Sequence, residues 1–215
     1  MSYFLAFFLL LTQAASRPAA DFGAVIDGVD RTFARMRDFS ADFVQFEENS
    51  LNQRQQGTGH LYLMRPRMAR YEYTTPEAQL FVSDGKTVYW YVPADRQVRK
   101  DSLRDALDDR IPLMFLVGRS NLRGEFTSFE RLSTKPEVEG TMVVRMHTKR
   151  KTDLTELLME VEPVSFLIRR LVLTHEDGTR SDLRFSNIRV NSGLKASLFE
   201  FTVPAGVQVL EGIGQ

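Results

Sequence analysis

Between Gly59 and Val92 the chain reads GHLYLMRPRMARYEYTTPEAQLFVSDGKTVYWYV, and few folds can hold such a segment. Arg65-Pro66, Thr75-Pro76 and Ser83-Asp84-Gly85-Lys86 are turn signals, because proline and glycine punctuate extended chain. Between the turns, side chains two apart share a face, and one face of each strand is apolar and aromatic. Arginines recur along the segment and Arg65 stands where a strand ends, without a nucleophile or metal cluster beside it. Such a surface suits a hydrophobic guest better than a chemical reaction.

The same alternation runs through the rest of the chain. Phe39, Ala41, Phe43 and Gln45 alternate with other residues, and Gln53–Gly57 reads as a hairpin loop. Arg70 and Glu72 share one face, which turns Ala69, Tyr71 and Tyr73 to the other. Arg145 and His147 face out, so Met142, Val144 and Met146 face in. Glu156, Glu160 and Glu162 leave Leu157, Met159 and Val161 inside; Asp182 and Arg184 leave Leu183 and Phe185; Glu200 leaves Phe199 and Phe201. One wet face and one dry face describe a large antiparallel sheet.

Helical spacing occurs in two places. Val25, Ile26, Val29, Phe33 and Met36 line one face of a helix that Asp21 caps, although Gly28 lowers its intrinsic propensity. A second island lies between Ser102 and Gly118, with a capping box at Ser102 and Asp105 and a break at Asp108-Asp109-Arg110. There Pro112 opens a further helix, Leu113, Met114 and Leu116 follow, and Gly118 stops it. Two or three short helices cannot cover the inner face of about ten strands, so the sheet must curl onto itself. The expected fold is mainly β, a partly closed barrel of about ten or eleven strands with a short-helix lid and an N-terminal helix. The residues alone leave open whether side chains fill the interior or a ligand enters it. Methionines beside aromatics make an interior that tolerates irregular guests.

Composition removes several classes of function. The 28 basic and 28 acidic residues balance without a basic stripe, which argues against nucleic acid. Cysteine is absent, which excludes a disulfide framework, a thiol nucleophile and a lipid-bearing cysteine. His60, His147 and His175 lack metal-ligand spacing, Asp108-Asp109 reads as a solvated charge run, and Ser83 has no nucleophile elbow. No enzymatic chemistry and no cofactor is indicated. The apolar run Phe4–Leu11 is too short to span a bilayer but matches the core of a secretory signal. Cleavage at about 14–16 then leaves 17–215 as one domain, soluble outside the cytoplasm. An uncleaved anchor or a mis-assigned start is the alternative, since no Lys or Arg precedes the run.

Arg65-Pro66, Tyr71, Pro76 and VSDGKTVYWY at 82–91 resemble the periplasmic outer-membrane lipoprotein carrier proteins, the LolA family. The likeness continues through Ile111-Pro112-Leu113-Met114 and LIRRLVLTHEDGTRSDLRFSNI at 167–188, and ends in FEFTVPAGVQV at 199–209. It implies an unclosed antiparallel barrel with a helical lid and a cavity for the acyl chains of lipoproteins. Combined with strand parity, it assigns the cavity to Leu63, Tyr71, Tyr73, Phe81, Leu113, Met114, Leu116, Val144, Met146, Met159, Leu183 and Phe185. It makes Arg65 the latch that bonds lid carbonyls, with acceptors expected around Asp109 and Gly118. The implied partners are acylated lipoproteins, an inner-membrane lipoprotein-releasing ABC transporter and an outer-membrane lipoprotein receptor, and the implied state is a periplasmic monomer. A related envelope module that binds or senses acyl chains without transport would share the cavity. Family members often carry phenylalanine near the cavity mouth where this chain has Ala69.

Overall fold

A computed structural model describes residues 21–103, 122–149 and 153–211. The proposed signal segment, the capping partner Asp105, and the lid positions from Asp108 to Gly118 lie outside these.

Among the described residues one sheet of twelve strands forms, one or two more than expected from sequence. Helix α1 (Phe22–Arg35) precedes β1 (Asp38–Glu48), β2 (Arg54–Met64), β3 (Met68–Thr75), β4 (Gln79–Asp84), β5 (Thr87–Val92) and β6 (Gln97–Ser102). A short helix α2 (Leu122–Glu125) leads into β7 (Phe126–Leu132), β8 (Met142–Thr148), β9 (Leu154–Val161), β10 (Ile168–His175) and β11 (Arg180–Val190). A 3-10 turn (Ala196–Phe199) and β12 (Gln208–Glu211) complete the chain. The order across the sheet is β12-β6-β5-β4-β3-β2-β1-β11-β10-β9-β8-β7, so β7 and β12 are its two edges and the barrel stays unclosed. Each ladder is antiparallel except β12 against β6, which the alternation could not reveal.

The inner face follows the expected parity. Phe43 of β1 pairs with Phe185 and Gly59, Leu61 with Tyr71, and Tyr71 with Phe81. Helix α1 lies against this face through Val25, Ile26, Val29 and Phe33, all within the main apolar cluster. Asp21 accepts from the Ala24 N–H at 3.3 Å and caps it. Gly28 has a packing reason: a Cβ there would stand 2.3 Å from the Phe166 ring. The glycine that weakens the isolated helix lets the β9–β10 turn press against it.

Three expectations need correction. The β1–β2 turn is at 49–53, where Asn49 Oδ1 accepts from the N–H groups of Leu51 and Gln53 at 3.0 and 2.9 Å. Residues Arg54–Gly57 therefore already belong to β2. Glu160 and Asp182 do face outward, yet both are buried, because the β7–β8 loop at 133–141 lies over them. Arg170 donates to both Asp182 oxygens at 2.7 Å and to Glu160 at 2.6 Å, while Glu160 accepts from the Glu137 and Val138 N–H groups. Finally, Phe199 and Phe201 are not inward-facing strand residues. Phe199 ends the 3-10 turn, and Phe201 packs at 5.3 and 5.7 Å on Tyr89 and Tyr91, whose parity is opposite to that of Trp90 and Phe81. The C-terminal segment therefore crosses the outer face of β3–β6, and Arg70 donates to the Leu198 carbonyl at 3.1 Å.

Candidate functional site on the inner face

Strand pairing brings the predicted lining residues together. Leu63, Tyr71, Phe81, Val144, Met146, Met159, Leu183 and Phe185 are buried in one apolar cluster, and Tyr73 packs against it. Leu113, Met114 and Leu116 lie outside the described residues. Sequence reasoning left out Phe39, Leu61, Leu171 and Leu173, which share the face, and the apolar stripe of α1 that covers them. The strand parity that placed Leu63 also places Leu61.

An aromatic row crosses the face. Phe43, Tyr71, Phe81 and Trp90 meet edge to face in sequence at 6.1, 5.8 and 6.5 Å between centroids, the geometry that ring quadrupoles favour. Phe43 also meets Tyr73 at 5.0 Å. Gly57 and Gly59 on the same face of β2 leave room for these rings: a Cβ at Gly59 would stand 2.8 Å from Phe43 Cζ. Burial, and then the neighbouring Tyr73, raises the Tyr71 hydroxyl well above its usual range. Burial likewise raises Tyr73, whose hydroxyl donates to Gln45 Oε1 at 2.6 Å. Both phenols stay neutral in the apolar interior.

Arg65 follows Met64, the last residue of β2, and is half-buried. Its Nη2 donates to the Phe33 carbonyl at 2.7 Å, in the last turn of α1. Helix ends leave carbonyls without intrahelical partners, and a guanidinium there also complements the helix dipole. Within the described residues the acceptor is thus on α1; the acceptors expected around Asp109 and Gly118 lie outside them. Elsewhere on α1, Asp27 accepts from Arg123 Nη2 at 2.7 Å and Asp30 from the Leu122 N–H at 2.6 Å. These contacts clasp α1 to the segment before the edge strand β7.

Ala69 is fully buried beside its ladder partners Leu63 and Ser83, not at a rim, so a phenylalanine here would have to displace the core beneath it. The Ser83–Lys86 motif is explained by its turn. Gly85 adopts φ +93°, and Asp84 Oδ1 accepts from the Lys86 and Thr87 N–H groups at 2.8 and 2.7 Å. Ser83 donates to the Arg67 carbonyl at 3.2 Å, tying this turn to the one after Arg65.

The model of the outer membrane lipoprotein carrier protein LolA matches residues 34–202. The chain belongs to the LolA family. The outer-membrane lipoprotein carrier protein of Azotobacter vinelandii is 30% identical over 210 residues, covering 96% of this chain and 94% of the relative. That of Chromobacterium violaceum is 30% identical over 173 residues, covering 80% and 81%. An uncharacterized conserved protein of Thermus thermophilus shares the fold, with a TM-score of 0.54 at 13% identity over 88% of this chain and 98% of that one. In this LolA-family chain no described helix is long and apolar enough to cross a membrane.

Proposed function

We propose that the chain is a periplasmic carrier that receives the acyl chains of lipoproteins against its inner face and moves them from the inner to the outer membrane. The observation that carries this reading is the concave apolar face itself, covered by a helix that is clasped by polar contacts, in a chain of this family. Acyl chains need a dry, deformable surface, which Met146 and Met159 beside Tyr71, Phe81 and Phe185 provide. Leu63, Tyr73, Val144 and Leu183, with Leu113, Met114 and Leu116, complete the proposed cavity. The mature protein starts after cleavage at about 14–16 and acts as a single domain. It takes cargo from an inner-membrane lipoprotein-releasing ABC transporter and gives it to an outer-membrane receptor, with no chemical transformation.

Arg65 is the proposed latch. A hydrogen bond from a charged donor is worth about 1.5–3 kcal/mol, enough to bias closure and weak enough for cargo to displace. Arg65→Leu should load acylated cargo at the parental level yet release it slowly, because closure no longer offsets the loss of cargo contacts on delivery. Loading and transfer to acceptor membranes, measured on one preparation, test this. A variant that transfers like the parent removes Arg65 from the mechanism. A parent protein that copurifies with no acylated species and loads none in vitro overturns the carrier reading.

A further inference from the structure

The inner face changes character at nearly the same level on four strands. Along β1, Phe39, Ala41 and Phe43 give way to Gln45 and Glu47. On β11 Phe185 and Leu183 are followed by Ser181, on β10 Leu173 by His175, and on β3 Tyr71 by the tethered Tyr73. Ladder partners fix this boundary, since Gln45 faces Leu183 and Glu47 faces Ser181. Beyond it lies a cleft of about 390 Å³ whose walls include Trp90, Leu173, Gln45 and Ser181. Its polar floor is built in advance. Gln45 is only 6% exposed; it accepts from the Tyr73 hydroxyl and donates to Ser181 Oγ at 2.8 Å and Glu47 Oε1 at 2.5 Å.

The charges around this cleft are not equivalent. Arg180 lies 3.9 Å from Asp182, His175 is 3.3 Å from Asp153, and Glu48 pairs with Arg54 at 2.7 Å. Among the described residues Glu47 meets only the neutral groups of Gln45 and Ser181. An exposed carboxylate with no cation within 4 Å among the described residues therefore stands beside an apolar doorway. Amide N–H groups and hydroxyls can approach it; a phosphodiester is repelled.

We infer that this cleft seats the uncharged ester and amide linkages of an acylated protein, and that Glu47 discriminates against phospholipid. The inference rests on the carrier reading above. A carrier taking cargo from a membrane meets phospholipid of the same chain length in excess, so selection cannot come from the apolar interior. It needs a group that penalises the wrong head, and a like charge does this.

Trp90 is the only tryptophan of the chain and, at 44% exposure, it borders the cleft. It therefore reports on occupancy directly. Two short-chain probes serve: a triacylated cysteinyl peptide with a capped, uncharged sequence, and a phosphatidylglycerol of equal chain length. Each carries bromine either beside the acyl carbonyl or at the chain end. Carbonyl-side bromine should quench Trp90 more than terminal bromine. Glu47→Gln should raise affinity for phosphatidylglycerol about five-fold, leave the lipopeptide within about two-fold, and lose most of this contrast at high salt. Equal effects on both probes, or stronger quenching by terminal bromine, overturn the inference. Probes that displace an apolar dye without quenching Trp90 overturn it while the carrier reading stands. Probes that neither displace the dye nor quench overturn both.

Discussion

Single residues set what this inner face can hold, and glycine on β2 is the clearest case. A Cβ at Gly59 would lie 2.0 Å from the Glu72 carbonyl oxygen, which is backbone of the neighbouring strand and cannot step aside. At Gly57 the nearest atoms are 3.4 Å away, ordinary contact. Gly59→Ala should therefore destabilise the protein by about 2–3 kcal/mol, and Gly57→Ala by less than about 1. Urea denaturation of the two variants checks this, and equal losses would refute the close-approach argument. The sequence placed both glycines in view, yet only pairing with β3 distinguishes them. Arg65 is similar. Its parity with Leu61 and Leu63 turned it inward, but its acceptor among the described residues is a carbonyl 32 residues away that carries no side-chain signature.

Elements were legible where one face was dry and the other wet. The helix α1, the inner faces of β3, β8, β9 and β11, and the Asp84-Gly85 turn all follow from alternation or turn chemistry. The edge strand β7 carries Phe126 and Phe129 three apart, because a bulge between Phe126 and Ser128 breaks the period-two alternation, and the exposed, parallel β12 has no dry face, so neither shows the strand pattern. The outer-face cluster escaped for another reason: Glu160 looks like any solvated glutamate until the loop at 133–141 covers it. Burial pushes the Glu160 carboxyl up, but the Val138 N–H, Arg170 and the Glu137 N–H outweigh it and leave it below the usual range. Burial of Asp182 is likewise outweighed by Arg170 and Arg184. Both carboxyls are thus depressed in the fold, so they stabilise it above about pH 4, and that contribution is lost as pH falls through the folded values. Arg170→Met leaves the buried Glu160 without its cation and Asp182 with only Arg184 at 3.3 Å and Arg180 at 3.9 Å, and should lower stability by about 3 kcal/mol at pH 7. The difference from the parent should narrow on acidification, because unpaired buried carboxyls take up protons more readily. Denaturant midpoints of both proteins between neutral pH and about pH 4 test this; a pH-independent difference would count against the cluster as the cause.

At the scale of the molecule, an open sheet with α1 laid on its concave side has a filled interior where the described residues meet. Cargo can enter only if something leaves, and the contacts of α1 make it the candidate. Its apolar face shares the cluster with Met146, Met159 and Phe185, while Arg65, Asp27 and Asp30 hold it by hydrogen bonds that water can replace. Phe166 lies directly against Gly28 of this helix, where a Cβ would lie 2.6 Å from the ring Cγ. Cysteines at these two positions bring their Cβ atoms near the separation of about 3.8 Å that a disulfide requires. The chain has no cysteine of its own, so the pair Gly28→Cys and Phe166→Cys can form one defined bridge. Oxidised, this variant should exchange an apolar dye and load acylated cargo at least about ten-fold more slowly than the parent, since opening then requires the bridged contact to move with the sheet. Reduction should restore both rates in the same sample, which separates locking from misfolding. If the oxidised protein loads at the parental rate, α1 stays in place during loading and the interior opens along another boundary of the sheet.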